Sequence, residues 1–448
     1  MDAACGWNGK NQSWLLKSMR KVLIVTYYWP PAGGPGVQRV LSFTRYLPEF
    51  GWEPIILTVE NGDYPSEDIS LISQIPDDIK VYKVPAWEPF NLYRRLTGKK
   101  KGEKIPSHIL GSRKNQSVME CLSRFIRLNV FIPDARIGWI HNLVKNGLRI
   151  VREEKPQVIL SSSPPHSLHL AIRKIVQKTG VKWVADFRDP WTDFFHYHEK
   201  GRFFPARYLD LLFERSVLKS VDAAISVSPA VVKLFIEKSP DLKTSVIFNG
   251  FDHKKYEKIS PVRYSRFTIF YAGNMRKTQC PDMFFNALQS LIKRGMDKIS
   301  LRIAGSVHPD IQQEMEKRNL IDYCTFLGYL KHQEVIREMY NADLLLLLIP
   351  DTPKNEGIIT GKLFEYIASG NPVLGFGPEQ GDAANILNET ETGQMLDYRK
   401  DPSLILEEYY DAYEEKRKQS HKTITGKVLK YSREAATKDL VHFLEEQL

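Results

Sequence analysis

Short β-branched and aliphatic runs alternate with longer amphipathic segments twice along this chain, and that alternation restricts its fold more than any other feature. Runs at 22–26, 53–58, 80–84, 158–161, 183–186, 223–227 and 245–248 form a first series. Runs at 267–272, 300–304, 324–327, 344–349 and 372–375 form a second, and segments 282–294, 311–319, 333–340 and 362–369 between them carry helical spacing. Strands joined by helical connections build parallel sheets covered by helices. The chain therefore predicts an α/β protein of two doubly wound, Rossmann-like domains facing across a cleft. Its 448 residues, 42% hydrophobic and 26% charged, supply two ordinary cores.

The boundaries follow from composition. A tail spans 1–18, a first domain 19–252, and a charged, Pro-containing linker 253–265. A second domain spans 266–426, and 427–448 is a helical segment expected at the domain joint. Residues 1–18 lack the apolar core of a signal peptide, and no run approaches the roughly 18 apolar residues of a membrane span. A cytoplasmic location is the expectation. Cys5, Cys121, Cys280 and Cys324 lie far apart without CxxC or Cys/His spacing, which argues against a zinc site or a disulfide framework. The net charge of +10 suits anionic partners. Between Arg94 and Lys114 eight Lys or Arg stand against Glu103 alone. That segment is either a solvated basic loop or a surface for anionic lipid headgroups at the inner face of the plasma membrane.

Open α/β sheets bind ligands beyond the carboxyl ends of their strands, so the loops there are where chemistry is sought. The first run ends in Pro30-Pro-Ala-Gly33-Gly34-Pro-Gly-Val-Gln38-Arg39. Its glycines let a ligand approach the backbone, and the following helix offers unpaired N–H groups to an anion. The alternative is a purely structural turn. Neither a complete GxGxxG nor a phosphate-cradling GxxxxGK[ST] is present.

Ser161-Ser-Ser-Pro-Pro-His166 offers a histidine for hydrogen bonding or proton transfer, or one that only caps and packs. In Asp186-Phe-Arg188-Asp189-Pro-Trp191, the guanidinium can grip phosphate or carboxylate, Asp189 can hold sugar hydroxyls, and Trp191 can stack. A buried structural ion pair is the competing reading of that cluster. In the second half, Ala272-Gly-Asn274-Met-Arg276-Lys277 again follows a run with glycine and cations. Gly361-Lys362-Leu-Phe-Glu365-Tyr opens a helix whose first-turn lysine suits a diphosphate, while Glu365 can accept from a ribose diol. Gly381-Asp382 begins another helix in the same way.

Together, Pro30-Pro-Ala-Gly-Gly34 with Gln38-Arg39, Asp186-Phe-Arg-Asp-Pro-Trp191, Asn249-Gly-Phe-Asp252, and Gly361-Lys-Leu-Phe-Glu-Tyr366 with Gly370-Asn-Pro-Val373 resemble the family-4, group 1 glycosyltransferases of the B-type fold that build bacterial surface polysaccharides. The resemblance covers roughly residues 20–440. It implies retaining transfer from a nucleotide diphosphate sugar to a saccharide or lipid-linked acceptor, without a metal or other cofactor and without nucleic acid as partner. By position it implies donor contacts at Gly33, Gly34, Asn274, Arg276, Lys277, Lys362, Glu365, Gly381 and Asp382. Gln38, Arg39 and Trp191 would meet the acceptor, and Arg188, Asp189 and His166 would act at the sugar. Domain closure would exclude water. Two positions depart from the pattern. Gly357 stands where many relatives carry a first glutamate, and Phe187-Arg188 stands where many carry a histidine.

A nucleotide-sugar 2-epimerase of the same fold is the nearest alternative. The basic, aromatic region from Trp87 to Trp139 is surface an epimerase would not need, which favours transfer. A non-enzymatic binder of anionic polymers is disfavoured by the glycine loops at strand ends and by the absence of a nucleic-acid motif. A dehydrogenase lacks its fingerprint in both halves.

Overall fold

The computed structural model describes residues 19–87, 125–193, 202–256, 262, 264–416 and 424–448. The basic segment from Arg94 to Lys114 and the tail 1–18 lie outside the described residues. Contacts divide the chain into a first unit, residues 1–227, 231–247 and 437–448, and a second, residues 228–230 and 248–436.

In the first unit the order is β1 (Arg20–Thr26), α1 (Pro35–Tyr46), β2 (Trp52–Val59), β3 (Lys80–Val84), α2 (Ile140–Glu154), β4 (Val158–Ser163), α3 (Ser167–Thr179), β5 (Lys182–Phe187), α4 (Phe204–Leu218), β6 (Ala223–Ser226), α5 (Pro229–Lys238) and β7 (Lys243–Val246). The second unit contains β8 (Phe267–Ala272), α6 (Asp282–Lys293), β9 (Ile299–Ala304), α7 (Pro309–Lys317), β10 (Cys324–Gly328), α8 (His332–Asn341), β11 (Leu344–Leu348), α9 (Gly361–Ser369), β12 (Val373–Phe376), α10 (Asp382–Thr390), β13 (Gly393–Leu396), α11 (Ser403–Lys416) and α12 (Gly426–Leu429). The last helix is α13 (Arg433–Glu445), and Glu445 pairs with Arg20 at 2.7 Å.

Both sheets are parallel. The first has seven strands in the order β3-β2-β1-β4-β5-β6-β7, and the second six in the order β10-β9-β8-β11-β12-β13. Each order reverses once, at β1/β4 and at β8/β11, and such switch points open a crevice at the carboxyl ends of the strands. The glycine turns after β1 and β8 stand at these two places.

Burial on both faces explains the continuous apolar runs. In β11, Leu344, Leu346 and Leu348 pack with Ile269, Ile303 and Phe284 in one layer. Leu345 and Leu347 pack with Phe270, Phe364 and Ile367 in the other. In the first unit Leu23 and Val25 of β1 join Ile55, Leu57, Trp183 and Phe187 in a single core cluster. Each side chain buried in this way contributes roughly 1.5–3 kcal/mol.

All twelve anticipated strands are present within two or three residues at their ends, and one more, β13, completes the second sheet. Its sequence Gly-Gln-Met-Leu has no β-branched residue, and pairing with β12 supplies what local propensity does not.

Candidate active site

In the first unit the turn after β1 is tied down by neighbouring backbone. Gly33 N–H donates to the Ser66 carbonyl at 2.8 Å, and Asp68 N–H donates to the Pro31 carbonyl at 2.8 Å. Gly34 caps α1 at φ +101°, a conformation that favours glycine, and no side chain caps the helix. Gly36 has a different purpose. A Cβ there would lie 1.8 Å from Arg188 Nη1, so the glycine admits the guanidinium against the start of α1.

Arg188 is itself buried, donating through Nε to the Ser163 carbonyl at 2.8 Å and through Nη2 to the Pro164 carbonyl at 2.9 Å. Burial draws its pKa down, against the opposing charges of Asp186 and Asp189. Asp189 is half-buried, and burial raises its pKa against the pull of Arg188. His166 stacks on Trp191 at 4.8 Å with 8° between the planes, and its buried Nδ1 has no partner. Burial and then the Arg188 charge depress the His166 pKa to about 3, which keeps the imidazole neutral at physiological pH. His166, Arg188 and Asp189 thus form one group beyond β4 and β5.

Two expected acceptor contacts are placed otherwise. Arg39 is 1% exposed and bidentate to Asp186, with Nε to Oδ2 at 3.0 Å and Nη2 to Oδ1 at 2.9 Å, and it also donates to the Ile247 carbonyl at 2.7 Å. Ser162 Oγ donates to the same carboxylate at 2.7 Å. Arg39 and Asp186 are therefore a buried structural pair. Trp191 is fully buried and donates from Nε1 to Asp210 at 2.8 Å, so its ring supports His166 and presents no face to a ligand. Gln38 is half-buried on α1. Not anticipated is a cavity of about 210 Å³ at the ends of β1 and β2, lined by Trp29, Glu60, Asn61, Tyr64 and Glu67 among others. Only their position just past β2 could have pointed to it.

In the second unit, Gly273 follows β8 at φ +122° and Gly305 follows β9 at φ +115°. A Cβ on Gly305 would lie 2.4 Å from the Gly273 carbonyl oxygen, and one on Gly273 would lie 2.3 Å from Lys362 Nζ. Two side-chain-free turns thus let Lys362 cross the end of β8. Its Nζ lies 3.4 Å from the Tyr271 hydroxyl and 4.6 Å from that ring's centroid. Lys362 takes part in no ion pair among the described residues. Burial lowers its pKa to about 8, with the charge of Arg276 adding to the effect. Lys362 opens α9, whose N-cap Thr360 makes no capping bond and keeps a buried Oγ1 without a partner. A cation, a bare helix N-terminus and an unsatisfied hydroxyl converge there, which is the donor set an anion requires.

Around this point Arg276 is exposed and free of ion pairs among the described residues, whereas Lys277 pairs with Asp310 at 2.8 Å. Asn274 Oδ1 accepts from Ser306 Oγ at 2.9 Å. One turn along α9, Glu365 Oε1 meets His332 Nε2 at 2.6 Å. Burial alone would raise the Glu365 pKa, but His332, Arg433 and Lys255 together hold it below its ordinary value. The sequence did not single out His332 or the 93% exposed Tyr329, both just past β10. Gly381 caps α10, and Asp382 is buried, accepting from Ser228 Oγ at 2.5 Å and Ala230 N–H at 3.0 Å within the same unit. Asp382 organises backbone and is not open to a donor.

Two parallel α/β sheets, each with a switch-point loop at its strand ends and the second carrying uncommitted positive charge, have the architecture that binds ligands beyond the carboxyl ends of its strands. The sequence narrows this: residues 33–250 match the glycosyl transferase 4-like domain, and residues 252–426 match glycosyl transferases group 1. The chain belongs to this glycosyltransferase family. Similar solved structures include a glycosyltransferase from Rickettsia africae, at 14% identity, TM-score 0.60, covering 96% of this chain and 98% of that one. Another is HepE from Anabaena in complex with UDP and glucose, at 14% identity, TM-score 0.59, covering 95% and 100%. A third is the lipopolysaccharide outer core galactosyltransferase WaaB, at 14% identity, TM-score 0.54, covering 96% and 100%. The fold they share is the glycosyltransferase B-type. No curated protein matches the sequence.

Proposed function

We propose that this glycosyltransferase takes its sugar from a nucleotide diphosphate sugar whose diphosphate sits on Lys362, Arg276 and the N-terminus of α9. The observation that carries this is Lys362: a half-buried lysine that has no carboxylate partner among the described residues and is laid across Gly273 at the end of β8. Burying a cation is costly unless an opposite charge compensates it, and a diphosphate supplies one. Glu365, fixed by His332, would accept from the ribose diol, and Tyr329 offers a ring for the base. Complexes of Anabaena HepE with UDP and glucose, and with UDP-glucose, are consistent with such a donor.

The acceptor belongs to the first unit. Glu60, Asn61 and Glu67 would accept from its hydroxyls in the cavity past β2, and Asp189 with neutral His166 would meet the reacting hydroxyl. Transfer breaks the bond from the anomeric carbon to the diphosphate oxygen and makes one to the acceptor oxygen. The acceptor proton passes to the departing diphosphate. Lys362 and Arg276 stabilise the charge that develops on it, so the residues themselves provide the electrophilic assistance a metal would otherwise give. Retention of anomeric configuration, and a saccharide or lipid-linked acceptor at the inner face of a bacterial membrane in surface-polysaccharide synthesis, rest on the family resemblance and on the likeness to WaaB.

A thermal-shift screen against UDP-, GDP-, dTDP- and CMP-sugars tests the reading, with NAD and an oligonucleotide as controls. A ligand at a hundred times its Kd adds about 2.7 kcal/mol to the native state, enough for a clear rise in Tm. Stabilisation by one nucleotide sugar is expected. Stabilisation by the oligonucleotide alone, or by nothing, overturns the proposal.

A further inference from the structure

Helix α4 is turned inside out. Its acids Asp210 and Glu214 are completely buried, while Phe204, Tyr208 and Leu212, spaced four apart, are 77%, 54% and 41% exposed. The inward acids are held internally, with Glu214 Oε1 left without a partner among the described residues. Asp210 accepts from Trp191 Nε1 at 2.8 Å and from Arg202, and Glu214 accepts from Lys238 Nζ at 2.8 Å and from Thr192. What remains outward is apolar or cationic: Arg207, Arg215 and Lys219 are exposed, and no acid of this helix is.

The face extends sideways. Arg202 clamps the neighbouring segment through Nε to the Leu128 carbonyl and Nη2 to the Pro133 carbonyl, both at 2.8 Å. Phe203 N–H donates to Asn129 Oδ1 at 2.8 Å, and the Phe203 and Phe125 rings lie 5.4 Å apart. Phe125, Ile126 and Val130 are exposed beside α4, so the two segments present one continuous surface. Soluble surfaces rarely gather this much apolar side chain without a partner.

We propose that this face adsorbs on an anionic lipid bilayer, which deepens the lipid-linked acceptor reading and rests on it for purpose but not for evidence. Aromatic and aliphatic side chains on one side of a helix, interleaved with arginine, suit the boundary between headgroups and acyl chains. Charge selects among occupants. A second copy docked on the same face would set the exposed Arg215 against like charge, whereas phosphatidylglycerol headgroups complement it. The net charge of +10 adds long-range attraction.

The test is flotation of the full chain with vesicles of phosphatidylcholine, alone or mixed with phosphatidylglycerol, each sample also being checked for its nucleotide-sugar thermal shift. The wild type is expected to float with the anionic vesicles only, less at high salt. The double variant Phe204→Ser, Leu212→Ser is expected to partition about ten-fold more weakly or worse, with Tm and nucleotide response kept. Arg215→Glu weakens partitioning independently and decides the matter if the double variant does not fold. A wild type that stays at the bottom, or variants that float unchanged, overturns the proposal without touching the donor assignment. So does loss of a concentration-dependent dimer in the double variant, which would make the face a self-interface. A lost nucleotide response in the wild type would instead count against the donor reading.

Discussion

Both units place glycine and nearby cations beyond the first strand of a parallel sheet, yet the two sites use their charges in opposite ways. In the first, Arg39 meets Asp186 in a buried bidentate pair, and Arg188 is held by two backbone carbonyls. In the second, Lys362 and Arg276 form no ion pair among the described residues. The difference lies in what the adjoining strands carry. Asp186 near the end of β5 neutralises Arg39 from within, whereas among the described residues no carboxylate comes within salt-bridge range of Lys362. Positive charge that the fold already neutralises holds loops in place; charge that it leaves uncompensated awaits a ligand.

The comparison breaks most visibly at the buried pair. Asp186→Ala should destabilise the protein by about 3–5 kcal/mol, because it leaves a buried guanidinium without its carboxylate. Urea denaturation measures this; a loss under about 1 kcal/mol would show that Arg39 finds solvent and that the first site is less closed than described.

A second effect is pH dependence. The Lys362 pKa is lowered to about 8, so donor affinity should fall as pH rises through about 8 and the ammonium is lost. The stability contribution has the opposite sign. Between about 8 and the ordinary 10.5 the unfolded chain retains a proton that the folded chain has released, so this group makes stability rise with pH there. Calorimetric titrations at pH 7 and pH 9 check the first effect, and Lys362→Met, which removes the titrating group, should flatten it. In the folded protein His166, depressed from 6.5 to about 3, stays uncharged near neutrality. Its contribution to stability is lost as pH falls from about 6.5 towards 3, because only the unfolded chain takes up the proton there.

The smallest effect separates two adjacent cations. Arg276→Ala should weaken donor binding several-fold, on the order of 1 kcal/mol for one partly exposed charged contact. Lys277→Ala should leave it unchanged, because that ammonium is paired with Asp310. Equal losses in the two variants, read as dissociation constants, would remove the distinction between committed and uncommitted charge.

The sheets were legible because five consecutive leucines in β11, or Val-Leu-Ile-Val in β1, satisfy a strand buried on both faces and little else. Strand β13 was not, since edge pairing with β12 decides it. Within the sites, glycines and cations at strand ends were readable, but which cations are neutralised was not. Arg39 and Asp186 are 147 residues apart, and only the β1/β4/β5 neighbourhood brings them together. Trp191 looked like a stacking platform because its partners Asp210 and His166 lie in other segments. His332 carried no motif at all; its role appears only through the 2.6 Å contact with Glu365.

The most direct measurement is isothermal titration of the nucleotide sugar that gives the largest thermal shift into wild type and Lys362→Ala. A dissociation constant roughly 10- to 100-fold weaker, the equivalent of a charged hydrogen bond or two, with Tm unchanged or raised, is the predicted result. Equal affinities in the two proteins would contradict the assignment of Lys362 as the group that holds the diphosphate.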